Sequence, residues 1–592
     1  MLARNGKLVT KQLFRYLVPS VLMVLAMQFG SLLDGILIGN LLSGEALTAS
    51  SLVLPVLFLI QLPGFALGVG GSIAVGIRLG ERDTDRAKET FSVCMLAGLV
   101  LSGVIAALSP LLAAPLASLY APPELQTLAR DYILVYMATD PIVTFSLMIA
   151  FFMNADNNPK ASTALFIIAN AVKIGTEILF LGPLKLGMTG AALSTAAGQV
   201  AGLITLIWYV RSDKRMLRVT MKWKTAWKSL WESIRLSAAT SMNLLLTAVQ
   251  VSVANILIAN LVTDPGEQLL FGVMANFMFG FDLLAGGIVQ LVPTVGSVFY
   301  GEEDYYSLRV STRRLLWLTI GVSVSFAAVL MIDPTLYTRF FGLPDPGANG
   351  LMIARIYIPG FIAYEISKFI QSYYPSIDRG GVSVVNVILR DIALALPLTI
   401  WLLNAKGLTG YAIAQTITEW GTVLLTAAFV PVYRRLRKLP AKGLLLIPPF
   451  EAGDVYDVSI GNDILEVEQF STELRDYARK HGTSETDAQL IALAGEEIAS
   501  NIITYGFRKG QPNTIDALLK IVNGHLVLRL RDDGPIFDPT RYKPDRPDTT
   551  SGLYLVQHLV TKFSYLRVLN TNNTVMELKI NAEEETTWKQ PS

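Results

Sequence analysis

Apolar residues run in long blocks through the first three quarters of the chain, then give way to short alternating stretches. Twelve blocks are long enough to cross a bilayer: about 15–40, 48–76, 90–113, 130–153, 161–183, 189–210, 236–262, 268–298, 314–333, 352–373, 383–403 and 408–432. A spanning helix needs ~20 mostly apolar residues. From about Val455 the period changes. Val455–Ile460, Thr514–Val522 and Leu526–Arg531 alternate as strands do, and Asn523-Gly524 supplies a hairpin turn between the last two. Asn462–His481 and Ser484–Tyr505 carry helical periodicity, with Ser484 and Asp487 spaced as a capping box. A loop rich in Pro, Asp and Arg covers Pro539–Ser551. A helix is predicted at Leu553–Phe563 and strands at Leu566–Leu569 and Thr574–Ile580. The fold class is an all-α polytopic membrane domain followed by a C-terminal α/β two-layer sandwich.

The membrane blocks form two sets of six. Gly187-Met-Thr-Gly-Ala-Ala-Leu-Ser-Thr-Ala-Ala-Gly-Gln199 returns loosely 220 residues later as Gly407-Leu-Thr-Gly-Tyr-Ala-Ile-Ala-Gln-Thr-Ile-Thr-Glu419. Leu79-Gly-Glu-Arg-Asp83 returns 221 residues later as Tyr300-Gly-Glu-Glu-Asp304. Two echoes at nearly one offset mark an internal repeat, which is common in membrane transporters. The expected organisation is a membrane domain over 1–436, with repeats at about 10–212 and 230–436. A basic, Pro-containing linker follows at 437–450, then a soluble domain at 451–585 and a tail at 586–592.

Composition agrees with this division. Of the residues, 52% are hydrophobic and 16% charged, against about 25% charged in soluble proteins. The net charge of +2 gives no reason to expect nucleic acid as a partner. Cys94, the one cysteine, cannot form an internal disulfide. The first apolar run is long enough to span and has no clear cleavage site. Basic residues gather on alternate loops: Arg4, Lys7, Lys11 and Arg15; Arg78, Arg82, Arg86 and Lys88; seven between Arg211 and Lys228; Arg309, Arg313 and Arg314; and Arg434, Arg435, Arg437 and Lys438. Asn40–Ala49, Asp264–Gln268 and Leu343–Gly350 contain none. Basic loops favour the cytoplasmic side, so both termini and the soluble domain are expected there, in a bacterial inner membrane.

A charge at mid-bilayer costs at least ~2.5–3.5 kcal/mol, so each one calls for an explanation. The candidates are Asp34, Lys173 and Glu177 (four apart on one helix face), Asp282, Glu365 and Lys368, Arg390 and Asp391, and Glu419. Two readings stay open: functional groups of a transport path, or structural charges, with Lys173 and Glu177 a satisfied pair between helices and Arg390 and Asp391 near a helix end, reaching water.

Ser31-Leu-Leu-Asp-Gly-Ile-Leu-Ile-Gly39, Leu79–Asp83 and Gly187–Gln199 resemble signatures of the multidrug and toxic compound extrusion (MATE) family, over residues ~10–436. The resemblance implies two lobes of six helices round a central cavity, and antiport of small organic, often cationic, molecules against protons or sodium. It implies a cation-linked site that includes Asp34 and Glu177, with Lys173 standing where some members have Asn. Asp282 and Glu365 are further candidates for ion coupling. No carboxylate lies between Leu236 and Leu261, where sodium-coupled members carry a glutamate.

In the soluble part, Glu497 and Asn501 lie four apart in a predicted helix, Asp532-Asp-Gly534 follows a strand, and Gly552 opens a helix. An amide oxygen for a metal, an acid for a base, and backbone amides at a helix start together suit a magnesium nucleotide. In order and spacing the set resembles the ATP-binding domain of gyrase and sensor histidine kinases, and the serine kinases of the anti-sigma-factor class. That resemblance implies ATP and Mg2+ as cofactors. It makes Asn501 the magnesium ligand, Glu497 the general base and Asp532 the adenine contact, with Gly534, Thr550 and Gly552 in the nucleotide loops. Thr550 departs from the usual Gly-x-Gly. The three histidines lie in no phosphoacceptor motif, and there is no Walker A sequence. The expected function is ion-driven export of organic compounds with an ATP-binding regulatory or kinase domain. A membrane sensor whose soluble domain phosphorylates a serine on an anti-sigma antagonist is the alternative, and a lipid-linked precursor flippase a third.

Overall fold

The structure is a computed structural model and describes residues 2–213, 215–220, 224–262, 264–340, 347–448, 455–507, 513–542 and 552–580. The chain forms two compact units, Arg15–Ile447 and Met1–Phe14 with Pro448–Ser592. The predicted tail at 586–592 and the first half of the Leu343–Gly350 loop lie outside the described residues.

Among the described residues, sixteen α-helices lead through the first part: α1 (Lys7–Leu41), α2 (Gly44–Leu52), α3 (Leu54–Gly80), α4 (Thr84–Tyr120), α5 (Gln126–Ala155), α6 (Pro159–Leu181), α7 (Gly187–Gly202), α8 (Thr205–Val210), α9 (Ala226–Leu261), α10 (Pro265–Gly301), α11 (Tyr305–Ile332), α12 (Thr335–Phe340), α13 (Gly347–Tyr357), α14 (Gly360–Ser376), α15 (Gly380–Ile388) and α16 (Ala395–Leu436). Ten described helical runs are long and apolar enough to cross a membrane. The last of these, Gly380–Leu436, breaks at Gly407, whose φ of 58° and ψ of −143° end one crossing and begin the next. With α13 and α14 as a further crossing, the twelve predicted blocks are accounted for.

The repeat is visible in the backbone. Left-handed residues recur at the repeat offset: Arg82 and Glu303, Asn157 and Asp378, Gly187 and Gly407. Asp83 caps α4 by accepting from Arg86 N, and Asp304 caps α11 by accepting from Ser307 N. The glycines of the two echoed loops meet each other's helix. A Cβ on Gly80 would lie 2.4 Å from the Val298 carbonyl oxygen, and one on Gly301 would lie 2.1 Å from that of Ile77. Since Val298 is the repeat mate of Ile77, this is a self-complementary contact of the kind a twofold axis produces. Backbone touches backbone there, so α3 and α10 close together at the end that carries the basic loops. Arg78 on α3 reinforces the same end, donating to Glu232 on α9 at 2.7 Å.

After α16 the chain stays attached to the membrane unit. Tyr373 and Tyr374 on α14 donate to the carbonyls of Leu445 and Leu444, both at 2.7 Å. The predicted linker is therefore held through Ile447.

Among its described residues the soluble unit has five antiparallel strands in the order β1-β2-β3-β5-β4: β1 (Val455–Ile460), β2 (Ile515–Val522), β3 (His525–Asp532), β4 (Lys562–Val568) and β5 (Thr571–Lys579). Helices α17 (Ile464–Lys480), α18 (Glu485–Asn501) and α19 (Gly552–Leu559) cover one face. Strand side chains alternate between faces, so Val458, Ile515, Leu519, Leu528, Leu530 and Met576 meet Phe470, Leu474, Ile491 and Ile498 in one core. The expected two-layer sandwich is present. The last helix stops at Leu559, short of the predicted Phe563, because residues from Lys562 pair with β5 through a Leu569-Asn570 turn with φ of 52° and 58°. That turn contains no glycine to announce it.

Residues Met1–Phe14 were expected with the membrane domain but pack in the soluble unit. Arg4 pairs with Asp516 at 2.9 Å and Asp457 at 3.5 Å, all three side chains buried. Asn5 N donates to Ser459 Oγ, and Gln12 Nε2 to Thr571 Oγ1 at 3.0 Å. Asp457, Ser459, Asp516 and Thr571 belong to the face opposite the helices. Buried carboxylates need a cation, and Arg4 supplies one.

Candidate functional site

In the soluble unit, α18 brings Glu497 and Asn501 one turn apart, and Asn501 Nδ2 donates to Glu497 Oε1 at 2.7 Å and to its carbonyl at 2.8 Å. These two bonds use the amide hydrogens and leave Asn501 Oδ1 as an acceptor. Asp532 ends β3 and is buried. Its Oδ1 accepts from Gly534 N at 2.8 Å and from Asn572 Nδ2 at 2.9 Å, while neither bond engages Oδ2. Burial pushes the Asp532 carboxyl up to about 6, against the pull of those two donors. A Cβ on Gly552 would lie 2.2 Å from the Glu497 carboxyl carbon, so the start of α19 abuts the Glu497 side chain. Gly534 in turn lies against the Gly506 carbonyl, just beyond α18. Glu497, Asn501, Asp532, Gly534 and Gly552 thus line one site. Thr550 lies outside the described residues. Asn572 was not singled out by the sequence, since a lone Asn in a strand gives no signal.

These residues suit a magnesium nucleotide: an amide oxygen left as an acceptor for a cation, and a buried carboxylate with one oxygen for a base amine, beside a helix start.

In the membrane unit, Lys173 on α6 lies 3.0 Å from Asp34 Oδ1 on α1. The sequence also allowed Lys173 to pair with Glu177, one turn away; the ammonium instead meets Asp34 across the helix interface. Glu177 is fully buried, no basic or neutral side chain among the described residues donates to its oxygens, and its charged neighbours are Asp34 and Lys173. The second repeat holds a similar group. Lys368 on α14 donates to Asp282 Oδ2 on α10 at 2.6 Å, and Glu365 is fully buried with neither oxygen partnered. Tyr364 lies between two cations, 5.1 Å from Lys368 Nζ and 4.6 Å from the Arg390 guanidinium. Arg390 donates to Glu419 at 2.9 Å. Arg390 and Asp391 were read as reaching water near a helix end; both are buried, on a π-helical turn at Leu389–Leu394. Asp140 on α5, passed over in the sequence, is fully buried and accepts from Thr144 at 3.1 Å.

Residues 19–179 match the MatE family model, and residues 462–578 match that of the histidine kinase-like ATPase domain. The multidrug export protein MepA of Staphylococcus haemolyticus is 23% identical over 72% of this chain and 94% of its own. The probable multidrug resistance protein YoeA of Bacillus subtilis is 22% identical over 51% of this chain and 67% of its own. Among solved structures, the outward-facing conformation of a multidrug resistance MATE family transporter superposes with a TM-score of 0.65 at 18% identity, covering 74% of this chain and all of the other. A Vibrio cholerae MATE transporter superposes at 0.64 and 19% identity, covering 72% of this chain and 97% of the other. The chain is therefore a multi-pass membrane protein with the fold of MATE transporters, whose residues 19–179 match the MatE family model and whose residues 462–578 match the histidine kinase-like ATPase domain.

Proposed function

We propose that this protein is a secondary exporter of small organic, cationic compounds, driven by a proton or sodium gradient and regulated through an ATP-binding domain. The observation that carries the reading is the Lys173–Asp34 ion pair between membrane helices, with the buried Glu177 carboxyl beside it. A buried acid without a hydrogen-bond partner is a place to load and unload a proton or cation. The distribution of basic loops supports cytoplasmic termini and a cytoplasmic soluble unit in a bacterial inner membrane. Asp282 and Glu365 are proposed as a second ion-linked group.

In the soluble unit, Asn501 would hold Mg2+, Asp532 the adenine amine, and the backbone at Gly534 and Gly552, with Thr550, the rest of ATP. The nucleotide supplies a transferable phosphoryl group. Glu497, held by Asn501, is placed to take a proton from an attacking hydroxyl. The proposed acceptor class is a serine on a protein like an anti-sigma antagonist.

The deciding experiment is efflux of a fluorescent organic cation from liposomes holding the full chain, under an imposed proton or sodium gradient, with and without Mg-ATP. Gradient-driven efflux is expected. Efflux under neither gradient, with ATP still bound, would favour the sensor-kinase reading. The Lys173–Asp34 pair lends that rival some weight, because it satisfies Asp34 without a bound cation.

Two further outcomes follow from the geometry. Gly301→Ala puts a methyl against a backbone carbonyl that cannot yield. Overpacking of this kind costs about 1–3 kcal/mol, so closure between α3 and α10 becomes about 5- to 150-fold less favourable. Efflux should fall by at least about fivefold with folding intact, measured as transport beside thermal unfolding. The Asp532 carboxyl also makes ATP affinity depend on pH. Its folded value, about 6, lies above the unfolded one, so the native state holds this proton more tightly. Its contribution to stability is present at low pH and is lost as pH rises through about 6. Accepting a hydrogen bond from the adenine amine needs the ionised form. Affinity for ATP should therefore weaken about tenfold per pH unit below about 6, read by isothermal titration.

A further inference from the structure

Lys11, in the second turn of α1, forms an ion pair with Asp533, the residue after Asp532. Asp533 is buried and also accepts from Asn513 Nδ2 at 3.0 Å. Neighbouring residues of one short segment therefore serve two clients. Asp532 lies in the candidate nucleotide site, and Asp533 holds the start of the first membrane helix.

The rest of the amino-terminal segment is built for anchorage. Leu2 N donates to Glu473 Oε1 on α17 at 3.1 Å, and Arg4 spans β1 and β2. Gln12 reaches β5, and Leu8 and Val9 are buried. Helix α1 then runs through to Leu41 as one element. Its first turns, to Phe14, belong to the soluble unit, and its remainder, carrying Asp34, belongs to the membrane unit.

We propose that the Lys11–Asp533 pair couples occupancy of the nucleotide site to α1, so that ATP binding adjusts the helix that carries Asp34. This rests on the ATP reading of the soluble unit. Tightening of the Asp532–Gly534 segment on a base moves Asp533 with it, and the ion pair passes that movement to Lys11. Coupling is reciprocal: whatever nucleotide does to α1, the state of α1 does to nucleotide affinity.

The test uses the full chain in liposomes, with Mg-ATP on the side of the soluble unit. Nucleotide affinity is measured separately with a fluorescent ATP analogue. In the wild type the efflux rate should change by about fivefold or more between zero and saturating Mg-ATP. K11M and D533N should bind the analogue within about threefold of wild type, transport normally without ATP, and lose the response. K11R should keep it, and the exchanged pair K11D/D533K should restore it, which a merely destabilised domain would not do. Full responses in K11M and D533N, or a wild type that binds Mg-ATP and transports indifferently to it, overturn the coupling. A wild type that binds no Mg-ATP overturns the ATP reading itself, and the coupling with it.

Discussion

Asp532→Asn should weaken ATP binding by about 100-fold while leaving the soluble unit folded. Asp532 Oδ1 accepts from Gly534 N and Asn572 Nδ2, and an asparagine carbonyl oxygen can take both bonds over. The scaffold therefore survives the change. The other oxygen becomes an NH2 group, which presents a donor where the adenine amine needs an acceptor. Losing a hydrogen bond to a charged group costs about 1.5–3 kcal/mol, and a donor facing a donor adds to this. Isothermal titration with Mg-ATP on the full chain, beside thermal unfolding, reads both halves. Equal affinity in variant and wild type would remove Asp532 from the nucleotide site. Loss of folding would instead assign it to the scaffold.

Asp34→Asn is expected to bring gradient-driven efflux down to background, a loss of at least about 50-fold. The substitution leaves Lys173 without its carboxylate at 3.0 Å. The pair is partly buried, its side chains 14% and 21% exposed, so removing one partner costs less than the about 3–5 kcal/mol of a fully buried pair. The ammonium can recover part of that only by turning to Glu177, one helical turn away. That new pair would lock the Glu177 carboxyl, which nothing else in this cluster neutralises. Lys173→Asn should act differently: with the internal cation gone, two carboxyl groups face each other, and efflux should come to require an inorganic cation such as sodium. Liposome efflux under proton and sodium gradients measures both. Wild-type rates in Asp34→Asn would take this cluster out of the transport cycle.

Much of this arrangement is legible in the chain because it is written locally. Apolar block length gives the crossings, and the echoes at Gly80 and Gly301 give the repeat whose glycines meet in the fold. Glu497 and Asn501 can be matched because four residues is one helical turn. Pairings set by tertiary packing leave no such trace. Lys173 could reach Glu177 by spacing, yet the packing of α1 on α6 offers it Asp34. Lys368 finds Asp282 on another helix, 86 residues away. Lys11 and Arg4 read as ordinary basic residues of a cytoplasmic end, and only folding reveals that their partners lie more than 450 residues further on. Asn572 supports Asp532 from the far side of a hairpin. Asp140 was visible as a carboxylate in an apolar run, but nothing nearby in sequence pointed to a role.

The lone ammonium between Asp34 and Glu177 has an electrical consequence. Two unpaired carboxylates could exchange two positive charges per cycle, whereas Lys173 permanently neutralises one of them. A single exchangeable charge then remains in this cluster. Exchange of one inbound proton for one outbound monovalent cation there moves no net charge across the bilayer. Such a cycle draws on the pH difference and is indifferent to membrane voltage, so clamping the potential with a potassium ionophore would leave its rate unchanged.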